Sequence, residues 1–293
     1  EGRTFAQASG DTQAHALLLD SFASCRGIRG HLDEMVEYNR QALELAETLS
    51  DPTLSLGIEA RRVFALWQFG RPKEAIALWE RAWPRAQELG VGAARVSGGF
   101  RLLSSLELNG AVSLMCVGRL GEARAGIEES LALARLYGDV DNEVFALEWL
   151  AECCLEIGDL DAAFAHARDA VAAAEKLNSQ IGGVSADRFL GGVLLAQHRS
   201  HEASVTLERA LATAREQGTG LHVEADFLQL LAAAHHDDGQ TERARAECVE
   251  AIAVARRSCT PLFECDAQLV LARILMRGGA AQSPGDCHRR SAG

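Results

Sequence analysis

Gly158-Asp159-Leu160-Asp161-Ala162-Ala163 is a short turn between two helical runs, and the chain repeats it. Gly70-Arg71-Pro72-Lys73-Glu74-Ala75, Gly118-Arg119-Leu120-Gly121-Glu122-Ala123 and Gly239-Gln240-Thr241-Glu242-Arg243-Ala244 are the same object. Gly30-His31-Leu32-Asp33-Glu34-Met35 and His198-Arg199-Ser200-His201-Glu202-Ala203 are degraded copies. The turn residues stand at 30, 70, 118, 158, 198 and 239, so the spacings are 40, 48, 40, 40 and 41. A period near forty residues means stacked supersecondary units rather than one closed core.

Working outward from each turn gives a helix on either side. The first pair runs from Thr12, through the Gly30 turn, to Leu49, where Ser50-Asp51-Pro52 ends it. The second runs from about Thr53 to Leu89, with Pro72 in the first turn of its second helix, where its missing N–H costs nothing. Pro84 falls inside the Ala75–Leu89 pattern and is expected to kink that helix or split off its last turn. Val91 to Val117 absorbs the long spacing by an extended first helix or an extra turn, with Gly98-Gly99 as the break. Three further pairs follow, and a last helix runs from Pro261 to Met276. The expected division is a lead-in over 1–11, a superhelix over 12–277 and a tail over 278–293 that lacks order.

Alignment on the turn assigns each position. Five residues after it stand Met35, Ala75, Ala123, Ala163, Ala203 and Ala244; twelve after it, Ala42, Ala82, Ser130, Ala170, Ala210 and Ala251. Seven before it stand Ala23, Val63, Ala111, Ala151, Gly191 and Ala232. Small side chains at these places let paired helices approach along one seam. The position eight before the turn is mostly bulky: Phe22, Arg62, Gly110, Leu150, Leu190 and Leu231.

Composition agrees with an all-helical protein. Apolar residues make up 48%, and there are only five Pro. The net charge of −12 is spread along the chain with no Lys/Arg stripe, which argues against nucleic-acid binding and favours basic partners. No apolar run approaches the roughly 18–20 residues of a membrane span. No signal-peptide pattern is read, and the opening Glu1 suggests a piece of something longer. Eight scattered Cys without common spacing fit a reducing compartment, so a cytoplasmic location is expected.

The small-residue positions, the turn glycine and the bulky neighbour resemble the tetratricopeptide repeat, over about Thr12 to Met276. The resemblance implies an all-α, right-handed solenoid of six long helix-turn-helix repeats plus a terminal helix. The units exceed the family's 34 residues by about six, and its closing proline is replaced by Glu47, Gln87, Arg135, Glu175, Arg215 and Arg256, so the second helices should run longer. Long repeats of this composition look like the C-terminal sensor regions of bacterial signalling ATPases. These include STAND-type and LuxR-type activators and cyclase-linked regulators. No phosphate-binding loop or helix-turn-helix effector is evident in this chain.

The resemblance also implies that the first helices line a concave groove. It places Phe64, Trp67 and Gln68 there in the second unit and Val112 and Met115 in the third. The fourth supplies Glu148, Glu152 and Glu156, the fifth Arg188, and the sixth Gln229, His236 and Asp237. The three glutamates at i, i+4 and i+8 share a helix face and repel mildly. They read either as an acidic wall for a basic peptide or cationic ligand, beside an apolar floor at Trp67, or as a solvated face.

Other clusters carry less. His235-His236-Asp237-Asp238 cannot converge on one ion, because neighbours on a helix point about 100° apart. His198 and His201 span a turn and have no third ligand, and Cys153-Cys154 point to different faces. No metal, cofactor or catalytic residue is assigned, since nucleophile-elbow, zinc-protease and dinucleotide patterns are missing. The expected function is non-catalytic recognition of a protein, a peptide or a small inducer, as the sensor arm of a larger bacterial regulator with an upstream ATPase. A free-standing scaffold bridging two proteins is the alternative.

Overall fold

The computed structural model describes residues 8, 10–90, 92, 94–95 and 100–280. Among these residues six helical hairpins follow one another: α1 (Thr12–Ile28) with α2 (Leu32–Leu49), α3 (Pro52–Gln68) with α4 (Pro72–Glu88), and α5 (Leu102–Cys116) with α6 (Leu120–Tyr137). Then come α7 (Val140–Ile157) with α8 (Leu160–Leu177), α9 (Gln180–Ala196) with α10 (Ser200–Gln217), and α11 (Glu224–Asp237) with α12 (Thr241–Arg257). A 3-10 turn, Leu221–Val223, precedes α11, and α13 (Pro261–Ala280) closes the array. Among the described residues there is no strand, only an isolated bridge between Arg95 and Arg101, and no helix is long and apolar enough to cross a membrane.

Each hairpin turn is built the same way. Gly158 takes φ 88°; its N–H donates to Leu155 O at 2.9 Å, and that of Asp159 donates to Cys154 O at 2.9 Å. This pair of bonds is a Schellman motif, which satisfies the last carbonyls of the helix and needs a left-handed residue at its centre. Gly30, Gly70, Gly118 and Gly239 repeat it, and so does His198, at φ 59° with bonds to Leu195 O and Leu194 O. Replacing His198 by glycine should relieve the Cβ penalty and stabilise the protein by about 1 kcal/mol. A urea midpoint that stays put or falls would mean that the exposed imidazole makes compensating contacts.

A second set of left-handed residues lies twenty positions on: Ser50, Gly90, Gly138, Asn178, Gly218 and Cys259. Each ends a second helix, so every unit is two half-repeats with equivalent stops. Helix N-caps follow directly in the sequence: the Asp51 carboxylate accepts from Leu54 N at 3.0 Å, and Ser179 Oγ accepts from Gly182 N at 2.9 Å. These stops replace the closing proline, and the second helices run to 17–18 residues.

Two expectations are narrowed to one of their alternatives. Pro84 does not split its helix: α4 continues unbroken to Glu88. The 48-residue spacing does not lengthen a first helix, because α5 has 15 residues; the extra chain forms the connection over 89–101. That connection is tied down by the buried Asp139, whose Oδ2 accepts from Arg101 N at 2.7 Å, Ser104 Oγ at 2.6 Å and Asn142 Nδ2 at 2.7 Å. Gly98-Gly99, Cys287 and the tail from 281 lie outside the described residues. Gly278-Gly279 do not end α13, which reaches Ala280.

The first helices pack on one another in series, α3 on α5, α5 on α7, α7 on α9 and α9 on α11. They form the inner layer. The small positions of the repeat are buried in every unit, from Ala23 and Met35 to Ala232 and Ala251. Gly110, where most units carry a bulky residue, is covered by Trp79 of the preceding unit: a Cβ at Gly110 would sit 2.3 Å from its ring. The superhelix also returns on itself. A Cβ at Gly30 would lie 3.1 Å from Leu221 O, one at Gly70 would lie 3.0 Å from Pro261, and the Phe64 and His222 rings stand 6.0 Å apart.

Candidate ligand-binding cavity

The inner layer and this closure line a partly open cavity of about 260 Å³. Helix periodicity decides which side chains reach it. On α7 the lining residues include Asp141, Phe145, Glu148 and Trp149, with Asn142 beside them, and on α9 they are Ile181, Ser185, Arg188 and Phe189. Both sets lie seventeen, thirteen, ten and nine residues before their turns, a single stripe at i, i+4, i+7 and i+8. α5 repeats the stripe with Ser105, Leu108 and Asn109, whereas α3 contributes from its other end, with Arg61, Phe64, Trp67 and Gln68. The long connection adds Phe100, the 3-10 turn His222 and Val223, and α13 Phe263.

Aromatic residues are scarce in this chain, yet five of its ten Phe and two of its four Trp converge here. Phe64, Trp67, Trp149 and Phe189 form a continuous edge-to-face series, with ring centroids 5.5, 5.5 and 5.1 Å apart. This geometry sets the positive edge of each ring against the negative face of the next. Trp67 Nε1 donates to Asn109 Oδ1 at 3.2 Å, which fixes the first indole.

The charged groups are mostly paired. Arg61 Nε donates to Asp20 at 2.8 Å, and Arg188 Nη1 donates to Asp226, which also accepts from Gln229 Nε2 at 2.8 Å. The Arg188 guanidinium lies 3.8 Å above the Phe189 ring. Glu148 is different. Its Oε2 accepts from Ser185 Oγ at 2.7 Å, but its Oε1 is buried without a partner. Gln68 Oε1 and Arg188 Nε are in the same condition, on residues 2% and 9% exposed, with Glu148 at 1%. Burial pushes the Glu148 carboxyl up to about 8, against the opposing pull of the Ser185 bond and of Arg188.

Of the residues singled out by the sequence, Phe64, Trp67, Gln68, Glu148 and Arg188 meet in the cavity. Val112 and Met115 do not. Val112 is buried in the core, and Met115 packs beside Ile76 and Leu114, because their positions on α5 face the neighbouring helices. The three glutamates of α7 do not form one solvated wall: Glu148 is buried in the cavity, Glu152 is half-buried and Glu156 is exposed. Burial also pushes Glu152 up to about 7. Gln229 stands behind Arg188, supporting Asp226, while His236 is half-buried and Asp237 exposed, both away from the cavity lining. Among the described residues no group of His, Cys, Asp or Glu could hold a metal ion. His235 instead shares a 2.7 Å bond with Glu247.

Reading by repeat position missed the place nine before the turn, which supplies Trp149 and Phe189, and named neither Phe145 nor Ser185 at the place thirteen before it, which the resemblance had put on the groove. Its signal was present: Trp149 and Phe189 are aromatic in register, forty residues apart.

Comparison with known proteins places this architecture. Residues 102–176 match the tetratricopeptide repeat model. No curated protein sequence matches the chain. Among solved structures, NprR in complex with its cognate peptide NprX aligns with a TM-score of 0.64 at 14% identity, over 96% of this chain and 79% of that one. A Rap protein complexed with Competence and Sporulation Factor aligns with 0.63 at 12%, over 91% and 76%. A STAND protein with a tetratricopeptide repeat sensor from Pyrococcus horikoshii aligns with 0.57 at 14%, over 94% of this chain but 41% of that one. At such identities the likeness is one of fold, and the chain folds as a tetratricopeptide-type helical superhelix.

Proposed function

We propose that the chain is a non-catalytic recognition superhelix that takes a peptide segment or a small inducer into the aromatic cavity. In this reading it serves as the sensor arm of a larger signalling regulator. The observation that carries it is the cavity: aromatic rings gathered on an inner face, with buried polar atoms of Gln68, Glu148 and Arg188 left without partners. Buried polar groups in a folded core are almost always satisfied, so unsatisfied ones beside an apolar cavity suit a ligand that completes them. The cognate peptide bound by NprR, and the Competence and Sporulation Factor complexed with the Rap protein, support the same reading.

Panning a random-peptide library against the immobilised chain tests it. Enriched sequences are expected to bind the native chain and to lose about tenfold or more in affinity with Trp149→Ala, a truncation of a central aromatic anchor. No enrichment over background, or enriched peptides indifferent to both Trp149→Ala and Phe189→Ala, would overturn the cavity as the site.

A further inference from the structure

We infer that the group received at the Glu148 end of the cavity is an alkylammonium carried on an apolar body. This rests on the cavity being the binding site, and it names the chemistry that site selects. Such a group is presented by a lysine side chain, by a peptide amino terminus or by a free arylalkyl amine.

The charge arrangement leads there. Among the described residues two cations line the cavity, and each is bonded to a carboxylate: Arg61 to Asp20, and Arg188, through Nη1, to Asp226. Glu148 and Asp141, both on α7, are the carboxylates left over. Asp141 accepts from Ser179 Oγ at the end of the helix, and Glu148 accepts only from Ser185. Arg188 pulls on Glu148 through its charge but makes no hydrogen bond to it, lying flat on Phe189 and bonded to Asp226. Among the described residues the other titratable group lining the cavity is His222, whose ring stands 6.0 Å from that of Phe64. Glu148 Oε1 and Gln68 Oε1 therefore offer two buried acceptors, and an ammonium carries three donors. The walls around them, Phe64, Trp67, Phe145 and Trp149, offer ring faces to a cation and apolar area to its stem.

Protonation adds a signature that a structural glutamate would not give. With its carboxyl pushed up to about 8, Glu148 carries a proton at neutral pH. A cation must displace that proton, so binding should release one and should tighten as pH rises towards 8. Lysine-type ammonium groups stay charged up to about pH 10, so the ligand does not produce this trend.

Calorimetric titration of the full chain uses three probes of one shape: 2-phenylethylamine, 2-phenylethanol and 3-phenylpropionate. The amine is expected to bind at least tenfold more tightly than either other probe, to gain affinity between about pH 6.5 and 8, and to release a proton. Glu148→Gln keeps an acceptor for Ser185 and should remove both the preference and the pH trend. Amine and alcohol binding equally would overturn the ammonium assignment while leaving the cavity as the site. None of the probes binding, together with a failed peptide panning, would overturn both. N-acetyl-phenylalanyl-lysine amide identifies the source: binding tighter than the amine assigns a peptide lysine, and weaker binding assigns a free amine or amino terminus.

Discussion

Trp79→Ala is expected to cost about 3–5 kcal/mol, although the indole is not fully buried and lies outside the cavity. Two things are lost together. The ring occupies the space that a bulky residue fills in most other units, against Gly110, and Trp79 Nε1 donates to Glu107 Oε2 at 3.0 Å. Removing it leaves a hole between the second and third units and takes the N–H from a buried carboxyl, and each loss carries its own penalty. Gly110→Leu alone brings the repeat pattern back at that position, yet it should destabilise by about 1–3 kcal/mol, because its side chain meets the indole. In the Trp79→Ala background the same leucine should recover part of the loss. Urea unfolding followed by far-UV circular dichroism measures all three variants. Additive effects would show that the two positions do not share one space.

Glu107→Gln should flatten the fall in stability towards alkaline pH. Glu107 is buried on α5, and burial pushes its carboxyl up to about 7, against the Trp79 bond. The unfolded chain releases that proton near the ordinary value of 4.5. Between those limits the folded state binds more protons than the unfolded state, so stability falls as pH rises from about 4.5 to 7, then levels off. The difference corresponds to roughly 3 kcal/mol. Glutamine stays neutral and keeps an acceptor for the indole. The variant is expected to match the native chain near pH 5 and to exceed it by about 2–3 kcal/mol at pH 8. Parallel losses in both proteins would place the pH dependence elsewhere, with Glu148 and Glu152 the next groups to replace, since burial raises them too.

Much of the fold was legible because its requirements are local and periodic. A Schellman turn demands a left-handed residue, so glycine marks it in the sequence; the seam demands small side chains, so alanine recurs in register. The second set of stops was legible in principle through Gly90, Gly138 and Gly218, but serine, asparagine and cysteine at the other three positions disguised it. Trp67, Glu148 and Arg188 could be named because the resemblance to the tetratricopeptide repeat assigns their repeat positions to the inner helix face.

What spacing cannot say is which faces meet. Whether Glu148, Glu152 or Glu156 is buried depends on where neighbouring inner helices lie against α7, and only Glu148 sits under Ser185. Val112 belongs to the core for the same reason. The cavity itself is a product of curvature: small rotations accumulated over six units bring Gly30 to Leu221 and Gly70 to Pro261. An insertion that looked like an irregularity delivers Phe100 to the wall. The sequence by itself determined the repeat, its turns and its two-layered helix pairs, because each rests on contacts within about forty residues. The aromatic cavity and the state of its carboxylate were decided by the tertiary structure, because desolvation and ring contacts arise between residues brought together from distant units.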